Sequence, residues 1–162
     1  MIYRIVPADE LLTQGDIIEG CTVVRVLPDG SVDEILERVI VMTQACDIVQ
    51  AKADQIVVAV LYTTDEIVQQ GQLKAPAIRD QVRRGQIFGW YFLPAADAPI
   101  PLPESIVNFR DLHTVPRSLL EKLAAAGNRV CRLLSPFREH LAQHFAVTYM
   151  RIALPLPYET RV

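Results

Sequence analysis

Three groups of residues have the types and spacing to do chemistry. Cys46 and Asp47 stand side by side just after an apolar run, residues 39–42. A thiolate is a nucleophile or a metal ligand once its pKa is lowered. The alternative for Cys46 is a small buried thiol at a strand end, with Asp47 accepting backbone N–H bonds in the turn. His140 and His144 are four residues apart, the spacing that puts two imidazoles on one helical face and that metal sites use. Leu141 follows His140 where a zinc-protease motif has glutamate. Cys46, Asp47, His140 and His144 form a metal site only if their helix packs beside the strand end; otherwise the histidines are seam or surface residues. His113 lies before Thr114-Val-Pro116, where it could act as a base toward Cys46 or a substrate hydroxyl, or pack in a turn.

Arg79, Arg83 and Arg84, with Lys74 nearby, make a basic cluster. Arg79 and Arg83 share a helical face and could hold phosphates. The other reading is a solvated face on which Asp80 pairs with Arg84. Alternation puts Phe88, Trp90 and Phe92 on one side of a strand and Tyr91 on the other, which suits core filling better than base stacking.

These groups need elements to position them. Residues 16–27 and 32–42 are rich in β-branched side chains, and Pro28-Asp-Gly30 between them is a turn signal. Residues 56–62 are the clearest core strand, and residues 87–93 and 105–112 read as two more. Thr64 as an N-cap opens a helix over residues 64–70; Pro76 and Gly85 bracket a second. Residues 116–126 are helical and stop at Gly127-Asn128, and residues 129–134 are extended. Ser135-Pro136 opens a helix running to about Ile152, with Pro155 and Pro157 beyond it. On that helix Phe137, Leu141, Phe145, Thr148 and Ile152 share one face, with His144 at its edge. Strands followed by helices without strict alternation predict an α+β domain over residues 1–162. It is β-rich over 1–112 and helical over 113–154.

The totals exclude several classes. The 162 residues are 51% hydrophobic and 22% charged, enough to bury a core. Mean hydropathy is +0.21, yet no apolar run approaches the ~20 residues that span a bilayer, so no membrane association is expected. A net charge of −3 does not favour a non-specific nucleic-acid binder. Cys21, Cys46 and Cys131 are odd in number and widely spaced, which suits a reducing cytoplasm and no disulfide scaffold. No phosphate-binding loop, dinucleotide fingerprint, hydrolase elbow or calcium loop occurs, so no cofactor is expected.

Gly15-Asp-Ile-Ile18, then Arg38-Val-Ile-Val-Met-Thr-Gln44, then residues 57–63 are similar in order to the MazF/PemK toxin family. The resemblance covers residues 15–63. It implies a small SH3-like barrel that cleaves single-stranded RNA without a metal. By motif position the catalytic arginine would be Arg38 and the threonine Thr63, if one extra residue is allowed in that strand.

The expected architecture is therefore a small SH3-like β-barrel with C-terminal helices packed on it. The leading function is a bacterial binding or interaction module with an unidentified protein partner, because no complete catalytic set is visible. A homodimer is compatible with this. The alternative is a hydrolase or nuclease: metal-free on Arg38 and Thr63, or thiol- or metal-dependent on Cys46, Asp47, His113 and His140.

Overall fold

The β-branched runs form the centre of a sheet because their side chains fill both of its faces. The computed structural model describes residues 1–50 and 52–150. In chain order they form β1 (Tyr3–Arg4), β2 (Asp16–Val26), β3 (Val32–Val41), α1 (Ala45–Val49), β4 (Gln55–Thr63), α2 (Thr64–Gln69), α3 (Ala75–Asp80), a single 3-10 turn (Val82–Arg84), β5 (Trp90–Leu93), β6 (Ser105–Pro116), α4 (Arg117–Ala125), β7 (Arg129–Leu133) and α5 (Phe137–Tyr149). The class is α+β. All seven strands join one antiparallel sheet in the order β1-β7-β2-β3-β4-β6-β5.

One face carries a core to which every strand contributes: Tyr3, Ile17, Ile40, Leu61, Leu93, Phe109 and Leu133 among others, with Leu141 from α5. A flat sheet could not bring side chains from both of its edge strands into one cluster. The sheet is curled, and its edges β1 and β5 approach each other. Tyr3 Oη donates to the Pro94 carbonyl at 2.8 Å across this seam. Among the described residues no backbone ladder joins the two edges, so the sheet is open. The opposite face carries a second core, Ile18, Val39, Val58, Val60 and Val115, covered by Ile48 of α1 and Leu120 of α4. Each such buried side chain contributes about 1.5–3 kcal/mol.

Two irregularities shape the curl. Between Ile18 and Cys21, β2 carries one extra residue against β3, and Gly20 there takes φ +69°. Such a bulge bends and twists its strand. In β6 the pairing jumps from Asn108↔Val60 to Leu112↔Ala59, so residues 109–111 bulge out of the ladder. Gly15 is a third constraint. At φ +85° its N–H donates to Val41 O and its carbonyl accepts from Leu133 N–H, and a Cβ would sit 3.2 Å from Leu133 O.

Several element boundaries differ from the sequence reading. Thr63, not Thr64, caps α2: its hydroxyl accepts from Glu66 N–H while the Glu66 carboxylate accepts from Thr63 N–H. The segment around Cys46 is a short helix rather than a strand end, and the strand over residues 87–93 begins only at Trp90. Pro136 holds the N-cap position of α5 without a side-chain cap. The part read as helical contains the end of β6 and β7, the latter between β1 and β2. Ile152, Pro155 and Pro157 lie outside the described residues.

Candidate functional site

Three clusters of titratable residues stand out. The first is the bulge of β6. Asp111 and His113 are two apart and share a strand face, and Asp111 Oδ1 meets His113 Nε2 at 2.8 Å. On its other oxygen Asp111 accepts from Tyr62 Oη of β4 at 2.5 Å and from Arg25 Nη2 of β2 at 2.6 Å. Arg25 also pairs with Glu37 at 3.0 Å. Burial would raise the Asp111 carboxyl, but hydrogen bonds from Tyr62, His113 and Arg25 outweigh it and hold it below the usual aspartate range. Burial and the Asp111 carboxylate push the Tyr62 hydroxyl up, so it stays a donor. The set can hold a charge at a fixed place. Its donors are spent on one another, which leaves Asp111 little capacity to act on a substrate.

The second place is the seam. His140 and His144 project from α5 toward β5. Tyr91 Oη and His140 Nδ1 are 2.9 Å apart, and burial pushes the Tyr91 hydroxyl up to about 12. His144 is buried among Phe88, Tyr91 and Phe109, with ring centroids 5.6–6.1 Å away. Among the described residues its Nε2 meets no partner at hydrogen-bonding geometry. Burial holds the imidazole below the usual histidine range; the nearby carbonyls of Ile87 and Trp90 act in opposition, and His140 acts in the same direction as burial. A cleft of about 430 Å³ opens beside His140, between Arg83 and Arg84, the strand β5 and the start of α5.

The third place is a buried ion network. Asp16, fully enclosed at the start of β2, accepts from Arg132 Nε at 2.5 Å and Nη2 at 3.0 Å, with Arg129 Nη1 at 3.4 Å. Arg132 and Arg4 both bond Glu10. This network ties the N-terminal segment to β7 and gives Asp16 partners for its buried charge.

The residues singled out from sequence are not drawn together. Cys46 is exposed on α1, its Sγ 3.7 Å from Gln44 Oε1 and 3.8 Å from Asp47 Oδ1, both within its own turn. It is neither the buried thiol of the plain reading nor in contact with a histidine. His113 is engaged by Asp111 and His140 by Tyr91, on different elements. Arg38 Nε donates to Glu19 at 2.5 Å, and the Thr63 hydroxyl is the cap of α2. Among the described residues no group of three or more His, Cys, Asp or Glu could hold a metal ion. No helix among them is long and apolar enough to cross a membrane. Arg25, Tyr62 and Asp111 escaped sequence reasoning, and Tyr91 was read only for core filling or base stacking, not as a partner of His140. The one signal available was the i, i+2 spacing of Asp111 and His113 within a single strand.

No protein-family model matches the chain, and no curated protein matches it either.

Proposed function

We propose that the protein is a binding module whose recognition surface is the outer face of the β2–β3 ribbon. The observation that supports this is the exposure of four aliphatic side chains on one face. β7 pairs only with residues 16–18 of β2, and β4 only with residues 39–41 of β3. Beyond them the two strands continue as a two-stranded ribbon, pairing Thr22↔Leu36, Val24↔Glu34 and Val26↔Val32. Val23 and Ile35, on the inner face, pack on the core. On the outer face Val24 is 52%, Val26 74%, Val32 62% and Leu36 69% exposed. Scattered aliphatics on a surface need no explanation, but a contiguous set on a ribbon face marks an interaction site.

Charge narrows the partner. Glu34 stands within the patch opposite Val24, Asp29 lies in the turn at its end, and Arg25, the one base of the ribbon between residues 22 and 36, is on the other face, engaged by Glu37 and Asp111. Two copies would bring like charges together. The complementary partner is another protein with an apolar patch rimmed by Lys and Arg.

The curl of the sheet, with Arg25 of β2 reaching Asp111 of β6, supports reading the architecture as a small, incompletely closed SH3-like barrel. Three unpaired cysteines support a reducing, cytoplasmic setting. The metal-free ribonuclease reading has less behind it, because the Arg38 guanidinium and the Thr63 hydroxyl are each engaged in structural bonds.

The test places a photo-crosslinking amino acid at Val24 or Leu36, and at Ser118 on α4 as control, in the cells that make the protein. The expected result is one heterologous adduct from the ribbon positions alone, identified by mass spectrometry and bearing a basic surface. That adduct should be lost in Val26→Glu. No adduct, or adducts only between copies of the chain, overturns the proposal.

A further inference from the structure

We infer that the cleft at the open seam of the sheet binds a small organic anion with a flat apolar body. β1 and β5 meet without a backbone ladder, and the core side chains Leu93 and Leu133 line the cleft at this seam. The cleft there, at about 430 Å³, is within the usual range of small-molecule sites. Its floor is apolar, with Leu93, Leu133 and Phe137 among the contributors. Its rim is cationic or donor-bearing: Arg83, Arg84 and His140.

The rim groups are available. Arg83 and Arg84 have no ion-pair partner among the described residues; the nearby carboxylate of Asp80 is paired with Arg79 at 3.2 Å. The hydroxyl of Tyr91 meets His140 Nδ1, and with that hydroxyl donating, Nε2 carries the ring proton as a donor. The geometry of the rim is fixed from behind. Gly85, at φ +68°, ends the 3-10 turn that carries both arginines and lies against the His144 ring. Two guanidiniums over an apolar floor complement an anionic group on an aromatic body, and a neutral molecule of the same shape would gain the floor only. Carboxylate and phosphate meet guanidinium alike, so the anion's chemistry is shared and its source is for experiment to divide.

Titration of the ¹⁵N-labelled full chain with 1-naphthoate, 1-naphthyl phosphate and the neutral 1-naphthamide tests the inference. Saturable shifts are expected at the amides of Arg84, Gly85, Tyr91, Leu93 and Leu133 with both anions. Affinity for them should be about tenfold above that for the amide, the size of a charge-assisted hydrogen bond. Whichever anion is tighter identifies the source. The exposed pair Arg83→Gln and Arg84→Gln together should erase the difference while the rest of the spectrum stays in place. Shifts centred elsewhere, no saturable shift with either anion, or equal affinity for anion and amide in the unaltered protein overturns the inference.

Discussion

Arg25 of β2 donates to Asp111 of β6 at 2.6 Å although β3 and β4 lie between their strands in the sheet order. The contact requires the sheet to bend through two strands, and it is held at both ends. Tyr62 and His113 engage the carboxylate, and Glu37 engages the guanidinium. Asp111→Ala leaves Arg25 and Tyr62 short of their acceptor. Because the site is partly exposed, the expected loss is about 2 kcal/mol, below that of a fully buried pair. Urea unfolding of Arg25→Met, Asp111→Ala and the double variant should show the two losses failing to add.

The same carboxyl sets an acid limit. Its folded pKa lies below the unfolded one, so its contribution is fully present above the ordinary aspartate range and is lost as pH falls through the folded value. Asp111→Asn should flatten the decline of Tm in that window. A variant that declines as steeply as the parent would remove Asp111 from the account.

His144 acts in a higher window. Burial depresses its pKa, so the unfolded chain binds the proton first. The stability it carries is present above the ordinary histidine value near 6.5 and falls as pH drops from there toward the folded value. His144→Phe, which keeps the ring among Phe88, Tyr91 and Phe109, should give a Tm that changes less between pH 7 and 5.5. Differential scanning calorimetry across that range decides it.

The three thiols should separate kinetically. Cys46 is exposed, whereas burial pushes Cys21 up to about 11 and Cys131 up to about 12. Ellman's reagent should therefore titrate one thiol in the native protein and three after denaturation. More than one fast thiol would contradict the burial of the other two.

Thr63→Ala removes the hydroxyl that caps α2 and should cost about 1 kcal/mol. Glu66→Ala breaks the other half of the same capping box and should cost less than that. If Thr63 instead served RNA cleavage, Thr63→Ser would retain the cap yet change turnover of single-stranded RNA. Chemical denaturation and an RNA cleavage assay on the same variants keep the two roles apart.

Much of the local structure was legible because it rests on local physics. The Pro28-Asp-Gly30 turn, the Gly85 stop and the strand over residues 56–62 follow from backbone freedom and side-chain branching. So does the split of Trp90 and Phe92 from Tyr91 across β5, where Tyr91 joins the inner core and the other two pack with Ile67 and Ile106. Phe88, expected beside Trp90 and Phe92, instead precedes the strand and stacks on His144, which also meets Tyr91. The Cys46 segment misled because Gln44-Ala-Cys-Asp47 carries both turn and helix signals, and the helix is favoured by burial of Ile48 in the second core, with the Arg117 guanidinium donating to the Ile48 carbonyl. Arg25 was invisible as a partner of Asp111: the two are 86 residues apart, and no period links them.

By itself the sequence determined an α+β chain with strands where β-branched residues run, helices where turn residues bracket them, and no apolar run as long as the ~20 residues that span a bilayer. The tertiary structure alone decided which titratable groups meet. It gave Asp111 to Arg25 and Tyr62 rather than His113 to Cys46, and His140 to Tyr91 rather than to a thiol. The reason is that those meetings depend on bulges at Gly20 and residues 109–111 and on an open seam between β1 and β5. These features arise from long-range register and curl, which short-range patterning does not encode.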